Sequence, residues 1–98
     1  MTLKESQKKF LRGLGHQIKP TITISDAGLS EPVLREFEST ISHHELIKVR
    51  VRAGDRENRD AVIGDLCKQG KSQLVTRIGN VALIYRRNDD EPKIRLPG

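Results

Sequence analysis

The amino-acid sequence predicts one α/β domain with elements in the order α-β-α-β-α-β-β and a four-stranded mixed sheet packed with helices. Stretches of helical periodicity alternate with β-branched runs, which is typical of strand–helix–strand crossovers. The last two apolar runs flank Gly79-Asn80, a two-residue hairpin signal. The 98 residues are enough for one core and not for two. We therefore expect two right-handed crossovers closed by an antiparallel pair.

The first helix is predicted over residues 3–14. The segment 2–5, TLKE, at its start fits a capping box in which the Thr2 hydroxyl and the Glu5 carboxylate satisfy free N–H groups. Four apolar residues at helical spacing form its expected inner side: Leu3, Phe10, Leu11 and Leu14. The segment Gly13-Leu14-Gly15 is expected to end the helix through a left-handed glycine.

A short strand and a second helix follow. Residues 20–24, PTITI, alternate and are β-branched, so they read as a strand. After the loop, Ser30 is a good N-cap and Pro32 falls in the first helical turn. The inner stripe of this helix is expected to hold Val33, Leu34, Phe37 and Ile41, with His43 and His44 closing the helix.

Residues 45–52, ELIKVRVR, form the most informative predicted strand. Period-two alternation sends Ile47, Val49 and Val51 to one face of the sheet. The other face receives Leu46 and three cations: Lys48, Arg50 and Arg52. Folding does not need three aligned cations. They indicate either a solvated face or a surface for an anion, and we favour the second.

A third helix is predicted from Arg56 to Gln69, capped by Asp55 and ended by Gly70. Its inner stripe is expected to hold Val62, Ile63 and Leu66, with Cys67 on or beside it. Residues 73–78 and 81–86 are the closing strands. Beyond residue 87 the chain loses periodicity and gains Pro, Gly and charge. We therefore expect a domain over 1–87 and a mobile tail over 88–98.

Composition favours an anionic partner. There are 18 Lys and Arg against 13 Asp and Glu, a formal charge of +5, and such an excess points to nucleic acid more often than to a membrane surface. Cys67 is the only cysteine, so an intramolecular disulfide is excluded and a reducing compartment is the simpler expectation. The N-terminus lacks the apolar core of a signal peptide, and no window approaches a membrane span. We expect a cytoplasmic protein.

The sequence offers no positive case for an enzyme. His16, His43 and His44 lack accompanying ligands at metal-binding spacing and read as surface or helix-end residues. Ser25 and Ser30 have no nucleophile elbow around them. We expect no catalytic residues, no metal and no cofactor. The few aromatic residues, with Phe10 and Phe37 both on predicted core stripes, argue against a base-stacking sheet.

The ordered chain resembles the CRM domain of chloroplast splicing factors and its free-standing bacterial YhbY-type members. The resemblance covers nearly all of residues 3–87. It is based on five segments of the sequence: LGHQIKP at 14–20, DAGLSEPVL at 26–34, HHELIKVRV at 43–51, DRENR at 55–59 and IGNVALIYRR at 78–87. Within them, the His-Glu-Leu-Ile-Lys-Val run is the most specific.

The resemblance implies an RNA-binding α/β domain similar to the C-terminal domain of translation initiation factor three. It also implies that the single-domain bacterial members associate with precursors of the large ribosomal subunit and act in ribosome maturation without catalysis. Ribosomal RNA would be the partner, with ribosomal proteins as further candidates, and no small-molecule substrate is expected.

The family also has a Gly-x-x-Gly loop, resembling that of KH domains, after the first strand. On this sequence it falls on Ser25-Asp26-Ala27-Gly28, so that only the second glycine remains. Serine permits a close backbone approach to phosphate less readily than glycine does, and Asp26 repels phosphate. The loop nevertheless precedes a helix whose free N–H groups attract anions. Asp26 is expected either to hydrogen-bond its own loop backbone or to face RNA.

These observations together define the expected RNA-binding residues, whose common role would be contact with phosphates. They are Lys8, Lys9, Arg12, Lys19, Ser25, Asp26, Ala27, Gly28, Lys48, Arg50, Arg52, Arg56 and Arg59. The main alternative is a protein-interaction module whose basic face docks an acidic partner. A small hydrolase or nuclease is the least favoured class.

Overall fold

The computed structural model describes residues 2–52 and 54–98, and it confirms the predicted element order. The helices and strands, in chain order, are α1 (Glu5–Gly15), β1 (Pro20–Ile24), α2 (Glu31–His44), β2 (Leu46–Val51), α3 (Arg56–Gln69), β3 (Gln73–Ile78) and β4 (Val81–Tyr85).

The four strands form one mixed sheet in the order β1-β2-β4-β3, which confirms the predicted fold class. β1 and β2 are parallel, whereas β4 runs antiparallel to both β2 and β3. The connections from β1 to β2 and from β2 to β3 both advance in the same direction across the sheet. Two crossovers of the same hand must therefore place α2 and α3 on the same face.

The main core lies between the sheet and the pair α2 and α3. As predicted from alternation, Ile47, Val49 and Val51 of β2 all point into it and are buried. From the helices, the buried members are Phe37, Ile41, Ile63 and Leu66. Cys67 packs beside this cluster, and its burial raises the pKa of the thiol.

The helix caps of α2 and α3 also agree with the sequence. The Ser30 hydroxyl accepts from the Val33 N–H at 3.3 Å, and the Asp55 carboxylate accepts from the Asn58 N–H at 2.9 Å. Each side chain thus satisfies one donor that the first helical turn leaves free. These two caps hold the helix starts beside the carboxyl ends of β1 and β2.

A second, smaller core lies on the opposite face of the sheet, under α1. It contains the buried side chains Leu3, Leu11, Leu46, Val75, Leu83 and Tyr85. Ile94 and Leu96 of the C-terminal segment pack against its edge. Both sheet faces are therefore covered, but α1 is a single helix of 11 residues and does not extend over the whole of its face.

Three details predicted for α1 are wrong. The helix begins at Glu5, two residues later than predicted, because Leu3 lies in extended chain and is itself buried in the second core. The capping interaction consequently does not involve Thr2: the Lys4 N–H donates to the Gln7 side-chain oxygen at 2.9 Å. The predicted left-handed glycine at the end of the helix is also absent. The residue that follows the helix, His16, has a right-handed backbone conformation.

The inner side of α1 also differs from the predicted stripe. Gly15 is buried against Leu83, and a Cβ placed there would lie 2.7 Å from a Leu83 methyl carbon. This close approach turns the side of α1 that carries Leu11 and Gly15 toward the sheet. Phe10 and Leu14 are each 39% exposed on its flank, so the expected inner positions of both residues are wrong.

Gly70 follows α3 as predicted, although for a different reason. Its φ of −87° needs no glycine, and the left-handed residue is Lys71 at 49°. A Cβ on Gly70 would lie 2.4 Å from the Phe37 ring.

The hairpin between β3 and β4 has the predicted type II′ turn. Gly79 has a positive φ of 60° and Asn80 does not, as that turn type requires.

The C-terminal segment 88–98 forms no helix or strand, yet it makes defined contacts. The carboxylate of Glu45, a fully buried residue between α2 and β2, accepts from the N–H groups of Asn88, Lys93 and Ile94 at 2.7–2.8 Å. The Gln7 side chain of α1 donates to the Pro97 carbonyl at 3.0 Å. The segment thereby links α1 to the sheet. Its mobility stays a prediction.

Candidate functional site

An open groove lies where α1 ends and the sheet continues. Two neighbouring rows of residues cross the sheet here, as the strand register shows: one is Pro20, Lys48, Leu83 and Thr76, and the next is Thr23, Arg50, Val81 and Ile78. Except for Thr23, all of them line the groove. Its wall is formed by Arg12 and Gly15 of α1 and by His16 just after the helix, and it encloses about 360 Å³.

Three of the predicted cations converge on this groove. Lys48 and Arg50 are half-buried on its floor, two residues apart on β2 and therefore about 6.7 Å apart along the strand. Arg12 reaches it from α1. None of the three forms an ion pair with any acidic residue in 2–52 or 54–98. Uncompensated cations lining a concave surface concentrate positive potential, so the groove favours an anion.

Apart from Thr76, the remainder of the groove floor is apolar. Val81 and Leu83 of β4 lie beside the cations, and Ile78 at the end of β3 is 77% exposed. An isoleucine this exposed contributes little to the core. Cationic and apolar contacts are thus available within one small concavity.

The Ser25–Gly28 loop lies at the carboxyl edge of β1, next to the start of α2. It is a tight turn in which the Gly28 N–H donates to the Ser25 carbonyl at 2.9 Å, and Gly28 has a φ of 79°. Asp26 and Ala27 are exposed at its tip. The Asp26 carboxylate accepts no hydrogen bond within the described chain, so the expected bond to its own loop backbone is not formed.

Arg52, Arg56 and Arg59 belong to this same edge. The Arg52 N–H donates to the Ile24 carbonyl at 2.7 Å, which puts Arg52 directly beside the loop, and Arg56 is the first residue of α3. Both are exposed. Arg59, one turn into α3, is half-buried, and its Nε is buried without a hydrogen-bond partner among the described residues.

The remaining predicted lysines are less well placed. Lys8 lies 3.9 Å from the Glu5 carboxylate, and Lys9 is exposed on α1. Lys19 precedes β1 and so lies at the opposite end of that strand from the Gly28 loop, where it lines a different groove with Leu14. The structure therefore groups Arg12 with Lys48 and Arg50, and it separates Lys19 from the loop.

A larger concavity, about 730 Å³, lies elsewhere, around the end of β4. Its arginines already have partners: Arg86 pairs with Glu38, and Arg87 lies 3.6 Å from Asp89. Asp90 adds another negative charge. This concavity is thus larger than the groove beside α1 but far less suited to an anion.

Metal-ion groups and membrane-spanning helices are not found in residues 2–52 and 54–98. No group of three or more His, Cys, Asp or Glu side chains is arranged to hold a metal ion there. No helix in these ranges is long and apolar enough to cross a membrane.

Sequence reasoning missed several residues of the groove. His16 is an exposed helix-end residue, as expected, but its place on the groove wall was not predicted, and neither Ile78 nor Val81 was singled out. The signal for Ile78 was its position beside the hairpin turn, where an apolar residue has no helix to cover it. Pairing Arg50 with Val81 would have required the register of β2 against β4, which the alternation of a single strand does not reveal.

Comparison with known proteins confirms the resemblance seen in the sequence. The family model of the CRS1 / YhbY (CRM) domain matches residues 3–86. The chain is 43% identical over 88 residues to Probable RNA-binding protein PA4753 of Pseudomonas aeruginosa, covering 90% of this chain and 85% of that protein. It is 42% identical over 96 residues to an RNA-binding protein of Haemophilus influenzae, covering 98% and 96% respectively.

The fold comparison agrees with the sequence comparison. The solution structure of protein SAV1595 from Staphylococcus aureus is similar with a TM-score of 0.84 and 32% sequence identity, covering 98% of this chain and 100% of that one. With a family model over residues 3–86, relatives above 40% identity and a shared fold, the chain belongs to the CRS1 / YhbY (CRM) domain family.

Proposed function

We propose that this protein binds RNA through the groove beside α1 and acts, without catalysing a reaction, as an assembly or maturation factor on precursors of the large ribosomal subunit. The main support for RNA binding is that Arg12, Lys48 and Arg50 line one groove and that none of them is paired with a carboxylate of the described residues. The names of the relatives from Pseudomonas aeruginosa and Haemophilus influenzae support it. The assembly role rests on the family resemblance alone.

In this proposal the RNA backbone runs from the groove toward the carboxyl edge of β1 and β2. Lys48, Arg50 and Arg52 succeed one another at two-residue steps along this line, and the Gly28 loop and Arg56 lie at its end. Phosphate contacts of this kind position the RNA and give affinity with little direct reading of sequence. Specificity would come from RNA shape or from neighbouring ribosomal proteins. The cell compartment proposed is the cytoplasm.

The test of RNA binding is its salt dependence in the wild type and in Lys48→Gln/Arg50→Gln. If about four to six phosphates are neutralised on single-stranded RNA, log K against log salt should have a slope of about −3 to −4. Each lost contact should reduce the slope by roughly 0.7 to 1. Glutamine keeps much of the aliphatic stem, which limits the effect on folding.

The matched control is Lys68→Gln, a lysine at the exposed end of α3 on the opposite side of the sheet. It changes the net charge equally per residue and should leave the slope unchanged. A wild-type slope near zero would overturn the electrostatic mechanism. Retained RNA binding in the double variant, with loss of an acidic protein partner, would favour the interaction module instead. Cleavage of the RNA during the measurement would indicate a nuclease.

The assembly role has its own test, which is sedimentation of a lysate from growing cells with detection of this protein across the gradient. We expect it in fractions that hold precursors of the large subunit, and we expect Lys48→Gln/Arg50→Gln to shift it toward the top. Absence of the wild type from every pre-ribosomal fraction at low salt would contradict this role while leaving RNA binding intact.

A further inference from the structure

We propose that the groove beside α1 holds one unpaired nucleobase of the RNA, packed on Ile78 and Val81, with the adjoining phosphates at Arg12 and Arg50. This inference rests on the proposed RNA binding and specifies its ligand. It leads to a selectivity that cations alone do not give: RNA with an unpaired nucleotide is preferred over an uninterrupted duplex.

The first argument is the chemistry of the groove floor. A surface that only neutralises phosphates has no use for exposed apolar area, yet the half-buried Val81 and the 77% exposed Ile78 lie beside the cations. The flat face of a nucleobase is the part of RNA that gains from contact with apolar side chains. Aliphatic residues can cover such a face although the sheet offers no exposed aromatic ring here.

The second argument is size. About 360 Å³ lies at the low end of the range for small-molecule pockets. The groove therefore suits a single nucleotide rather than several stacked bases.

The third argument is the arrangement of charge around the apolar area. Arg50 pairs with Val81 across β2 and β4, and Ile78 pairs with Val81 across β4 and β3. Neighbouring strands are about 4.8 Å apart, so Ile78 and Arg50 are separated by roughly 10 Å across the floor. Arg12 stands on the wall formed by α1. A base lying over Val81 would therefore have cations on two sides, where its own phosphates continue.

A base inside a regular duplex is stacked and paired, and so its face is not available to the groove. Single strands, loops and bulges present such bases without the free energy of unpairing. The structure thus predicts discrimination by base exposure and not by base identity, because aliphatic side chains make no hydrogen bonds to base edges.

The test compares RNAs in one binding assay: an uninterrupted duplex, the same duplex with a one-nucleotide bulge, and that bulged duplex with an abasic residue at the bulge. The abasic residue keeps the phosphates and removes only the base. We expect the bulged RNA to bind roughly tenfold more tightly than either of the others. A fluorescent 2-aminopurine at the bulge should change its emission on binding.

The protein variant is Ile78→Ser, with Leu74→Ser as its control on the same strand. Leu74 is 41% exposed and pairs with Ile84, so it points to the opposite face of the sheet. Ile78→Ser should weaken binding of the bulged RNA by roughly fivefold to tenfold, without changing the salt slope or duplex binding. Leu74→Ser should leave the preference for the bulge unchanged, and thermal unfolding would check that both variants are folded.

Equal affinity of the wild type for all three RNAs, or an unchanged preference in Ile78→Ser, would overturn the nucleobase site while RNA binding stands. Failure of the wild type to bind any of them, or single-stranded RNA of the same length, would instead overturn the proposed function itself.

Discussion

Arg86 donates hydrogen bonds from both of its terminal guanidinium N–H groups to the two carboxylate oxygens of Glu38 and thereby ties the end of β4 to the middle of α2. The same guanidinium also donates to the Gly70 carbonyl at 3.0 Å and to the Ser42 hydroxyl. One side chain thus joins the sheet to α2 and to the end of α3. A bidentate pair with additional acceptors has a defined geometry, which isolated surface ion pairs lack.

This pair predicts a specific dependence of stability on pH. The hydrogen bonds from Arg86 lower the pKa of Glu38 below its ordinary value of 4.5. A lowered pKa means that the folded state holds the ionised form, so the stabilisation is present above the ordinary value and is lost as the pH falls through the lowered one. Because the Glu38 side chain is 58% exposed, we expect a contribution of about 1 kcal/mol or less.

The measurement is the free energy of unfolding of Glu38→Gln against pH. We expect the variant to be less stable than the wild type near neutral pH and to approach it in acid. The control is Glu36→Gln, an exposed glutamate two residues earlier on α2. A constant difference between Glu38→Gln and the wild type at every pH would mean that the ionised pair is not the cause.

Gly70→Ala should destabilise the protein by about 1–3 kcal/mol, because the added methyl would lie 2.4 Å from the Phe37 ring and force it to move. Gly64→Ala is the matched control within α3, since its methyl would meet no atom within 4 Å. It should stabilise the helix by about 0.5–1 kcal/mol. Chemical denaturation compares the two, and an equal effect of both would contradict the steric explanation.

Glu45→Gln should destabilise the protein by about 1–3 kcal/mol and loosen the C-terminal segment. One oxygen of Glu45 accepts from Lys93 and Ile94, while the other accepts from Asn88. A glutamine must turn its NH₂ group toward at least one of these donors, and it leaves that donor unsatisfied.

Amide hydrogen exchange would detect the loosening at residues 88, 93 and 94, and Glu91→Gln, an exposed change in the same segment, serves as the control. The same spectra test the expected mobility of the tail. Fast exchange at all three amides in the wild type would show that the tail is mobile and that Glu45 does not hold it.

Asp26→Lys should strengthen RNA binding by about threefold to tenfold if the Gly28 loop meets phosphate, because it exchanges a repelling charge for an attracting one. Asp26 is exposed and accepts no hydrogen bond in the described structure, so the change should not affect folding. Asp65→Lys, at an exposed position of α3, controls for the equal change in net charge. Equal gains in both variants would remove the loop from the interface.

Much of the fold was predictable because its signals are local. The caps at Ser30 and Asp55, the alternation in β2 and the Gly79-Asn80 turn each depend on residues close together in the sequence. Part of the candidate site was predictable for the same reason, since alternation alone puts Lys48 and Arg50 on one face.

Local signals also misled where a glycine or an apolar residue has a tertiary partner. Gly15 and Gly70 looked like helix terminators, whereas their role is to allow contact with Leu83 and Phe37. The approach at Gly15 sets the rotation of α1, and that rotation exposes Phe10.

The sequence by itself determined the order of the elements, the separation of apolar and cationic residues on β2, and the excess of positive charge. Only the tertiary structure decided how much of the second sheet face α1 covers and which cations remain unneutralised. Arg86 and Glu38 are 48 residues apart, so their pairing follows from the packing of α2 on the sheet and not from any local spacing. Helices and strands form through interactions between residues close together in the sequence. The groove, in contrast, forms where α1 ends above the sheet, and this depends on elements that are distant in the sequence.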